Sequence, residues 1–440
     1  MKKYIHLVTA LVCLSTIGNA QESIYPAPPQ TGTFYITHAT IHVGNGNVIK
    51  DGSVKVTNGK IETVGNVTAE ANSKIIDAGG KHLYPGIISS ITNLGLKETG
   101  SGVRGSNDYN EIGTINPSIR AIVAYNTDSK VINVLRTNGI LLANIVPQEE
   151  ESVSNNLITG TSSIVQLDAW NWEDAAYKMD ANMHFNMPSL LTRTNRFAGV
   201  RGNTPLPDPV KAGLERVEKV KMFFKEAKGY LAGDKHELSN LKYEAVKDLF
   251  NRKQKLFVHC NAVKEMLLAI DFVTEFGFDV VIVGGSESWQ IASLLKQNNI
   301  PVILQQLHSL PQTIDDDVDQ NYKTPYLLQK AGVLFALSDN DGTTRGRNLM
   351  FNAGTAAANG LTQEEALSAI TLNAAKILGI ADVTGSIEPG KDANIIISEG
   401  DILDMRTSIV VNAFIKGRAI DLSNKQTQLY ERYKHKYGIK

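Results

Sequence analysis

The 440-residue sequence contains only two cysteines and has almost no net charge. Cys13 lies within the first twenty residues, so a chain cleaved after Ala20 keeps Cys260 alone and has no internal disulfide. A zinc site built from several thiolates is excluded for the same reason. The 44 basic and 45 acidic residues nearly cancel, and this balance argues against a protein that binds nucleic acid.

The sequence also lacks an apolar run that is long enough to span a bilayer, because even the apolar run at the N-terminus is too short. Two lysines precede an apolar segment that ends at Ile17, and a Gly-Asn-Ala triplet follows at 18–20. This pattern predicts a secretory signal peptide over 1–20, whereas a membrane span needs about 20 apolar residues. We therefore expect a chain that is exported, periplasmic or secreted, with no stable membrane insertion.

The two ends of the mature chain carry the signals of short β-strands. A Pro-rich leader over 21–32 precedes a segment at 33–83 in which apolar and polar residues alternate and Asn58-Gly59 marks a hairpin turn. The same character returns at 384–422, before a charged helical tail at 423–440. We expect the two β segments to pair and form one small β-sandwich domain from both chain ends.

The central part, 84–383, alternates apolar strands with amphipathic helices. Near-continuous apolar strands are typical of a parallel sheet covered by helices, and eight of them predict an α/β fold of the (β/α)8 TIM-like barrel type. We interpret the long stretch around 189–250 as an insertion, and a capping box at Thr362 predicts one long helix over 362–380. The candidate strands are 86–91, 140–146, 163–167, 183–187, 255–260, 279–284, 301–307 and 333–338.

Three segments carry a resemblance to a known family. They are NGKIETVG at 58–65, GKHLYPGIISS at 80–90 and GSIEPGKDANIII at 385–397. Together they resemble the amidohydrolase superfamily, and within it the exported imidazolonepropionase-like hydrolases. The resemblance implies a hydrolase that acts on a C–N bond of a small cyclic amide or peptide-like substrate, with one or two divalent ions that activate a water.

The resemblance also implies a ligand set, which this sequence matches only in part. Ile91 and Asn93 stand where a His-x-His pair ends the first barrel strand, and strand 6 ends at Gly284 with no histidine. His259 matches the strand 5 metal ligand, and Asp339 matches the strand 8 residue that serves as ligand and general base. The expected cofactor is therefore either a single zinc-like ion or none.

Other residues leave alternatives open. His308 and Asp341 are further candidate ligands, whereas His82, His184, His236 and His435 show no ligand-like spacing. Trp170 and Trp172 follow the third barrel strand, so we expect them at the barrel mouth, where they line a binding cleft or only pack against it.

Two hypotheses of different classes follow. The first is an exported metal-dependent hydrolase of C–N bonds that acts on a small molecule through His259 and Asp339. The second is a catalytically inactive barrel that binds a small-molecule ligand or an active hydrolase. Partners under the second hypothesis are another copy of the chain or a related hydrolase.

Overall fold

The computed structural model describes residues 25–99, 107–148, 156–190, 208–233, 237–310, 316–339 and 344–439. The predicted signal peptide, Asp341 and His236 lie outside these ranges. No helix in the described part of the chain combines the length and the apolar character that a membrane crossing needs.

The strands and helices are numbered here in chain order. The strands are β1 (Thr33–His42), β2 (Val48–Thr57), β3 (Lys60–Gly65), β4 (Lys74–Asp77), β5 (His82–Pro85), β6 (Ile87–Thr92), β7 (Ile140–Ile145), β8 (Ile158–Gln166), β9 (Ala176–Asn186), β10 (Lys255–Cys260), β11 (Val280–Gly284), β12 (Val302–Gln305), β13 (Phe335–Ser338), β14 (Ile395–Ser398), β15 (Val410–Ile415) and β16 (Arg418–Ala419). The α-helices are α1 (Lys130–Thr137), α2 (Trp172–Ala175), α3 (Pro209–Leu231), α4 (Leu241–Glu244), α5 (Lys247–Phe250), α6 (Val263–Phe276), α7 (Ala292–Gln297), α8 (Gln320–Ala331), α9 (Leu349–Ala358), α10 (Gln363–Ala369), α11 (Leu372–Leu378) and α12 (Lys425–Tyr437).

Both chain ends contribute to one eight-stranded sheet, in the order β16-β15-β14-β5-β1-β2-β3 with β4 paired to β1. The ends meet where β5 pairs antiparallel with β14. Pairing between the two ends therefore occurs as predicted, but it occurs within a single mixed sheet, and the predicted sandwich is not confirmed.

The second sheet also has eight strands, in the order β13-β12-β11-β10-β9-β8-β7-β6, and it is nearly closed into a barrel. Ser338 at the end of β13 bridges the gap to β6. Its Oγ accepts a hydrogen bond from the Ile91 amide and donates to the Ile91 carbonyl, each at 3.1 Å. Hydrogen bonds of a side chain thus replace main-chain hydrogen bonds between β13 and β6. All eight predicted strands belong to this barrel.

One strand departs from the predicted parallel arrangement. β8 runs antiparallel to both β7 and β9, whereas β9–β13 and the β6–β7 pair are parallel. A parallel crossover needs a dozen or more residues and usually a helix. Only the four-residue helix α2 lies between β8 and β9, so these strands form a hairpin.

Helix α3 lies in the stretch that we interpreted as an insertion, and it packs on the outside of the barrel. Phe224 of α3 is fully buried and contacts Phe272 of α6, with ring centroids 6.1 Å apart, and Phe278 just before β11, at 5.0 Å. The helix is therefore part of the connection from β9 to β10 and covers the outside of the barrel, as helices do in barrels of this type.

The prediction of a single helix over 362–380 is wrong, because the segment forms two helices, α10 and α11, that are separated near Thr371. The predicted capping box at Thr362 is present at the start of α10. At the break, the Ile370 carbonyl accepts a hydrogen bond from the amide of Ile88 on β6, at 2.9 Å. The bend turns α11 beneath the barrel, where Ala374 and Leu378 join the apolar cluster of the barrel interior.

A buried charge cluster closes the same, amino-terminal, end of the barrel. Asp168 lies just after β8, and its carboxylate pairs with Arg136 of α1 at 2.5 Å and with Arg418 of β16 at 3.2 Å. It also accepts a hydrogen bond from the amide of Ala27 in the leader, at 2.9 Å. One side chain thus joins the leader, the barrel and the C-terminal strands.

We expect Asp168→Asn to lower the free energy of unfolding by about 3–5 kcal/mol, because Arg136 then stays buried without its counter-charge. The matched control is Asp404→Asn, whose partner Arg406 is 87% exposed, and this change should cost less than about 1 kcal/mol. Urea unfolding at neutral pH measures both. Equal losses in the two variants would contradict the importance of the buried cluster.

Candidate functional site

A fully buried histidine, His184, and a half-buried one, His259, meet inside the barrel near the carboxyl ends of β9 and β10. In the parallel register His184 is paired with Phe257, and His259 is paired with Asn186. Nδ1 of His184 lies 2.9 Å from Nε2 of His259, so one ring donates a hydrogen bond to the other. The ring of Phe257 packs edge-on against His184, with centroids 5.2 Å apart.

Burial keeps both imidazoles neutral. It lowers the pKa of His259 to about 4. Burial and the neighbouring His259 also lower the pKa of His184 well below its ordinary range. At neutral pH the pair therefore carries no charge, and the hydrogen bond joins two neutral rings.

A row of buried polar side chains continues from this pair across the neighbouring strands. Ser162 of β8 lies opposite Asn182 of β9, which precedes His184 by two residues and so shares its face. Four buried atoms of this row have no hydrogen-bond partner within the described residues: Asn144 Oδ1, Ser162 Oγ, Asn182 Nδ2 and His184 Nε2. Buried polar atoms are nearly always satisfied in folded proteins. Asn182 is level with the first residue of β10, so this row is suited to hold ordered water inside the barrel.

Apolar side chains fill another part of the barrel interior. Ile91, at the position where the family resemblance implies a histidine, is fully buried and belongs to one cluster with Val283 and Ile303. Asn93 is also buried, and its Nδ2 donates a hydrogen bond to Gln148 Oε1 at 3.3 Å, whereas its Oδ1 has no partner among the described residues. An isoleucine cannot ligate a metal and an amide oxygen is a poor ligand for zinc, so this part of the site supplies no imidazole in place of the missing pair.

Asp339 directly follows β13, as predicted, and is 6% exposed. Its carboxylate forms an ion pair with Arg345 at 3.5 Å. His308 lies in the loop after β12, where its Nε2 bonds Thr355 Oγ1 at 2.7 Å and its ring packs against Tyr322. These contacts hold His308 against α8 and α9.

The described residues contain no group of three or more His, Cys, Asp or Glu side chains placed to hold a metal ion. His184 and His259 come together, but neither Asp339 nor His308 completes a ligand set with them. Catalytic zinc sites use three protein ligands and an open position. The donors present therefore do not fit the metal centre that the family resemblance implies, and the metal-binding and catalytic roles predicted for His259 and Asp339 stay predictions.

The two tryptophans lie at the other end of the barrel from this site. Because β8 is antiparallel, the segment after it returns to the amino-terminal ends of its neighbours, where the Leu167 amide bonds the Leu141 carbonyl at 3.0 Å. Trp170 is 64% exposed and contacts Tyr25 of the leader, with ring centroids 5.9 Å apart. Neither the cleft nor the mouth-packing interpretation of these residues is therefore correct.

His184 is the residue that sequence reasoning missed. It was set aside because no other histidine stands at ligand-like spacing from it, yet the fold places it against His259, 75 residues later. Its position in the candidate strand 183–187 was the available signal. Polar residues near the carboxyl ends of adjacent parallel strands meet whatever their separation in sequence.

Comparison with known proteins supports the amidohydrolase superfamily. The model of the amidohydrolase family matches residues 291–420. Imidazolonepropionase of Flavobacterium psychrophilum is 37% identical over 99 residues, which are 20% of this chain and 24% of that protein. The chain thus spans about a quarter of the length of this curated relative.

Solved structures match over most of the chain. An amidohydrolase from Thermotoga maritima is similar with a TM-score of 0.76 and 27% identity, covering 88% of this chain and 99% of its own. A prolidase complexed with N-methylphosphonate-L-proline is similar with a TM-score of 0.54 and 14% identity, covering 88% and 99%. The first supports the superfamily and the second the fold alone, so the TIM-like barrel is confirmed in outline.

The neutral histidine pair should make stability fall as the pH is lowered. A pKa that is lower in the folded chain means that the unfolded chain binds more protons as the pH falls. The contribution of the neutral histidines to the free energy of unfolding is therefore fully present above the unfolded pKa of about 6.5, and it is lost as the pH falls towards 4. For His259 this loss is about 3 kcal/mol. We expect His259→Gln to flatten the dependence of unfolding free energy on pH across this window.

Urea unfolding at several pH values, in buffer with a chelator, measures this effect. His38→Gln is the matched control, because the His38 side chain is 65% exposed, and it should retain the wild-type slope. A His259→Gln profile that follows the wild type would contradict the neutral buried pair.

Proposed function

We propose that this chain is a non-catalytic barrel of the amidohydrolase superfamily that binds a small polar ligand at the carboxyl end of its strands. The observation that carries the proposal is the direct hydrogen bond between His184 and His259. In a metal centre these nitrogens would face the ion, whereas here each ring faces the other.

The chemistry of the surrounding residues supports this proposal. Hydrolysis of an amide by the usual mechanism needs an ion that activates water and stabilises the developing oxyanion. The apolar side chain of Ile91 lies in place of one donor, and the carboxylate of Asp339 is paired with Arg345. A polar ligand at this end of the strands would, in contrast, satisfy the Oδ1 of Asn93, which lies just after β6 and has no hydrogen-bond partner among the described residues.

A hydrolase of C–N bonds is the second candidate function. It is favoured by the similarity to the Thermotoga maritima amidohydrolase along most of the chain. Under this hypothesis His259 and Asp339 bind a single divalent ion, and Asp339 acts as general base. The predicted signal peptide over 1–20 supports the further proposal that the protein is exported, under either function.

The metal content of the purified chain 21–440 separates the two candidates. We expect mass spectrometry to find no zinc, manganese or iron above background, even after incubation with each ion and dialysis, because no third donor joins the two histidines in the part of the chain that the structure describes. His259→Ala is the control for adventitious binding. About one equivalent of metal in the wild type that is lost in His259→Ala would contradict the proposal and favour the hydrolase.

Restoring the missing donors should create a metal site. The double substitution Ile91→His and Asn93→His supplies two imidazoles at the end of β6, on the rim that also holds His259, and we expect about one retained equivalent of zinc per chain, as in sites with three protein ligands. The matched control is Ile91→Gln with Asn93→Gln, which adds polar groups without imidazoles. If the histidine variant retains no more zinc than the glutamine variant, the loss of this pair is not what separates the chain from metal-binding relatives.

A further inference from the structure

The C-terminal helix α12 has 13 residues and buries none of its side chains in the part of the chain that the structure describes. Its start is fixed by Asn424, which accepts a hydrogen bond from the amide of Thr427 and donates one from Nδ2 to Thr137 Oγ1 of α1, each at 2.9 Å. Beyond this attachment the helix gains little from apolar packing. Isolated helices of this length are marginal in water, so a surface that covers α12 would stabilise it.

Three tyrosines form a stripe along α12. Tyr430, Tyr433 and Tyr437 follow one another at intervals of three and four residues, which places them on one face of the helix, and each is more than half exposed. The rings of Tyr433 and Tyr437 stack, with centroids 6.2 Å apart. A tyrosine has an apolar ring and a polar hydroxyl, so an exposed tyrosine stripe is suited to the boundary between water and an apolar phase.

Lysines flank the stripe on both sides. Lys434 Nζ lies 5.4 Å from the centroid of the Tyr430 ring, and Lys436 Nζ lies 5.1 Å from that of Tyr437. The segment 425–440 has five basic residues and one acidic residue, hence a net charge of +4, whereas the whole chain has a net charge of −1. The helix is therefore a local positive region on a chain that is otherwise net negative.

A second exposed aromatic side chain lies at the same end of the barrel. Trp170 is the most exposed of the three tryptophans. It follows Asp168 by two residues, and Asp168 pairs with Arg136, while the next residue of α1, Thr137, holds Asn424. Trp170 and α12 are thus both attached to the last turn of α1, at the amino-terminal end of the barrel and opposite the rim that holds the histidine pair.

Acidic neighbours limit Trp170 to an apolar contribution. Asp174 accepts a hydrogen bond from the Trp170 amide at 2.9 Å, and Glu173 beside it is exposed. Attraction to an anionic surface must therefore come from α12, to which Trp170 adds an aromatic ring.

We propose that the amino-terminal end of the barrel docks on an anionic lipid surface through α12. The cationic side chains of the helix lie among the phosphate headgroups. The rings of Tyr433, Tyr437 and Trp170 enter the boundary between headgroups and acyl chains, where tyrosine and tryptophan are enriched in membrane proteins. Because 13 residues are too few to span a bilayer, the helix lies along the surface.

This orientation turns the opposite rim, with His259, towards the solvent. A ligand can then reach the barrel while the protein is docked. The inference goes beyond the proposed function and does not depend on it, since none of the residues that carry it belongs to the barrel interior.

Co-sedimentation of the chain 21–440 with vesicles tests the proposal. We expect binding at low salt to vesicles of phosphatidylcholine mixed with an equal amount of phosphatidylglycerol, and none to phosphatidylcholine alone. Sodium chloride at about 0.5 M should release the chain, because salt screens the attraction. Equal binding to both kinds of vesicle, or binding to neither, would overturn the proposal. A failure to bind vesicles together with a dimer that α12 substitutions dissociate would assign the helix to a second copy instead.

Matched variants locate the contact. Lys434→Gln with Lys436→Gln should weaken binding to the anionic vesicles by about 25-fold, since each cation near such a surface contributes roughly fivefold in affinity. Lys211→Gln with Lys219→Gln removes the same charge from exposed positions of α3 and should change the affinity by less than about twofold. Equal losses in the two variants would mean a diffuse attraction and would contradict docking through α12.

Fluorescence tests the orientation. Trp170 emission should shift to shorter wavelength when anionic vesicles are added, because its ring leaves water, and Trp170→Phe should abolish the shift. Tyr433→Ser with Tyr437→Ser should weaken vesicle binding severalfold, although the charge of the helix is unchanged. Binding without a shift in the wild type would show that this end of the barrel does not face the lipid, and the proposal would fail.

Discussion

Strand direction is the constraint on which the position of every functional feature of this barrel depends. The parallel strands bring their carboxyl ends to one rim, and that rim holds His259 and Asp339. The short connections around β8 reverse this one strand. Its reversal sends Asp168 and the tryptophans to the opposite end, where they serve the attachment of the leader and the C-terminal strands.

Much of the fold follows from the sequence, because each barrel strand is a short apolar run that is recognisable by itself. The direction of β8 does not follow from such a run, since periodicity is the same in both directions along a strand. The break at Thr371 is also invisible in the apolar pattern, because it is made by a long-range hydrogen bond between Ile370 and Ile88. In both places, tertiary contacts outweigh the local pattern.

The site was predictable to a lesser extent. His259 and Asp339 could be located because each ends a recognisable strand, and the absence of donors at Ile91 and Gly284 was visible in the sequence. The partner of His259 was not, because its contact with His184 depends on the register between β9 and β10.

The pairing of β5 with β14 also has a consequence for biosynthesis. The paired residues Pro85 and Ile395 belong to opposite ends of the chain, so the sheet lacks β14, β15 and β16 beside β5 until nearly the whole polypeptide has left the ribosome. At about 5–20 residues per second, this interval lasts tens of seconds. During that time the edge of β5 exposes main-chain groups that a chaperone can cover and another chain can capture, so the late-arriving C-terminal strands set the period in which this protein needs protection.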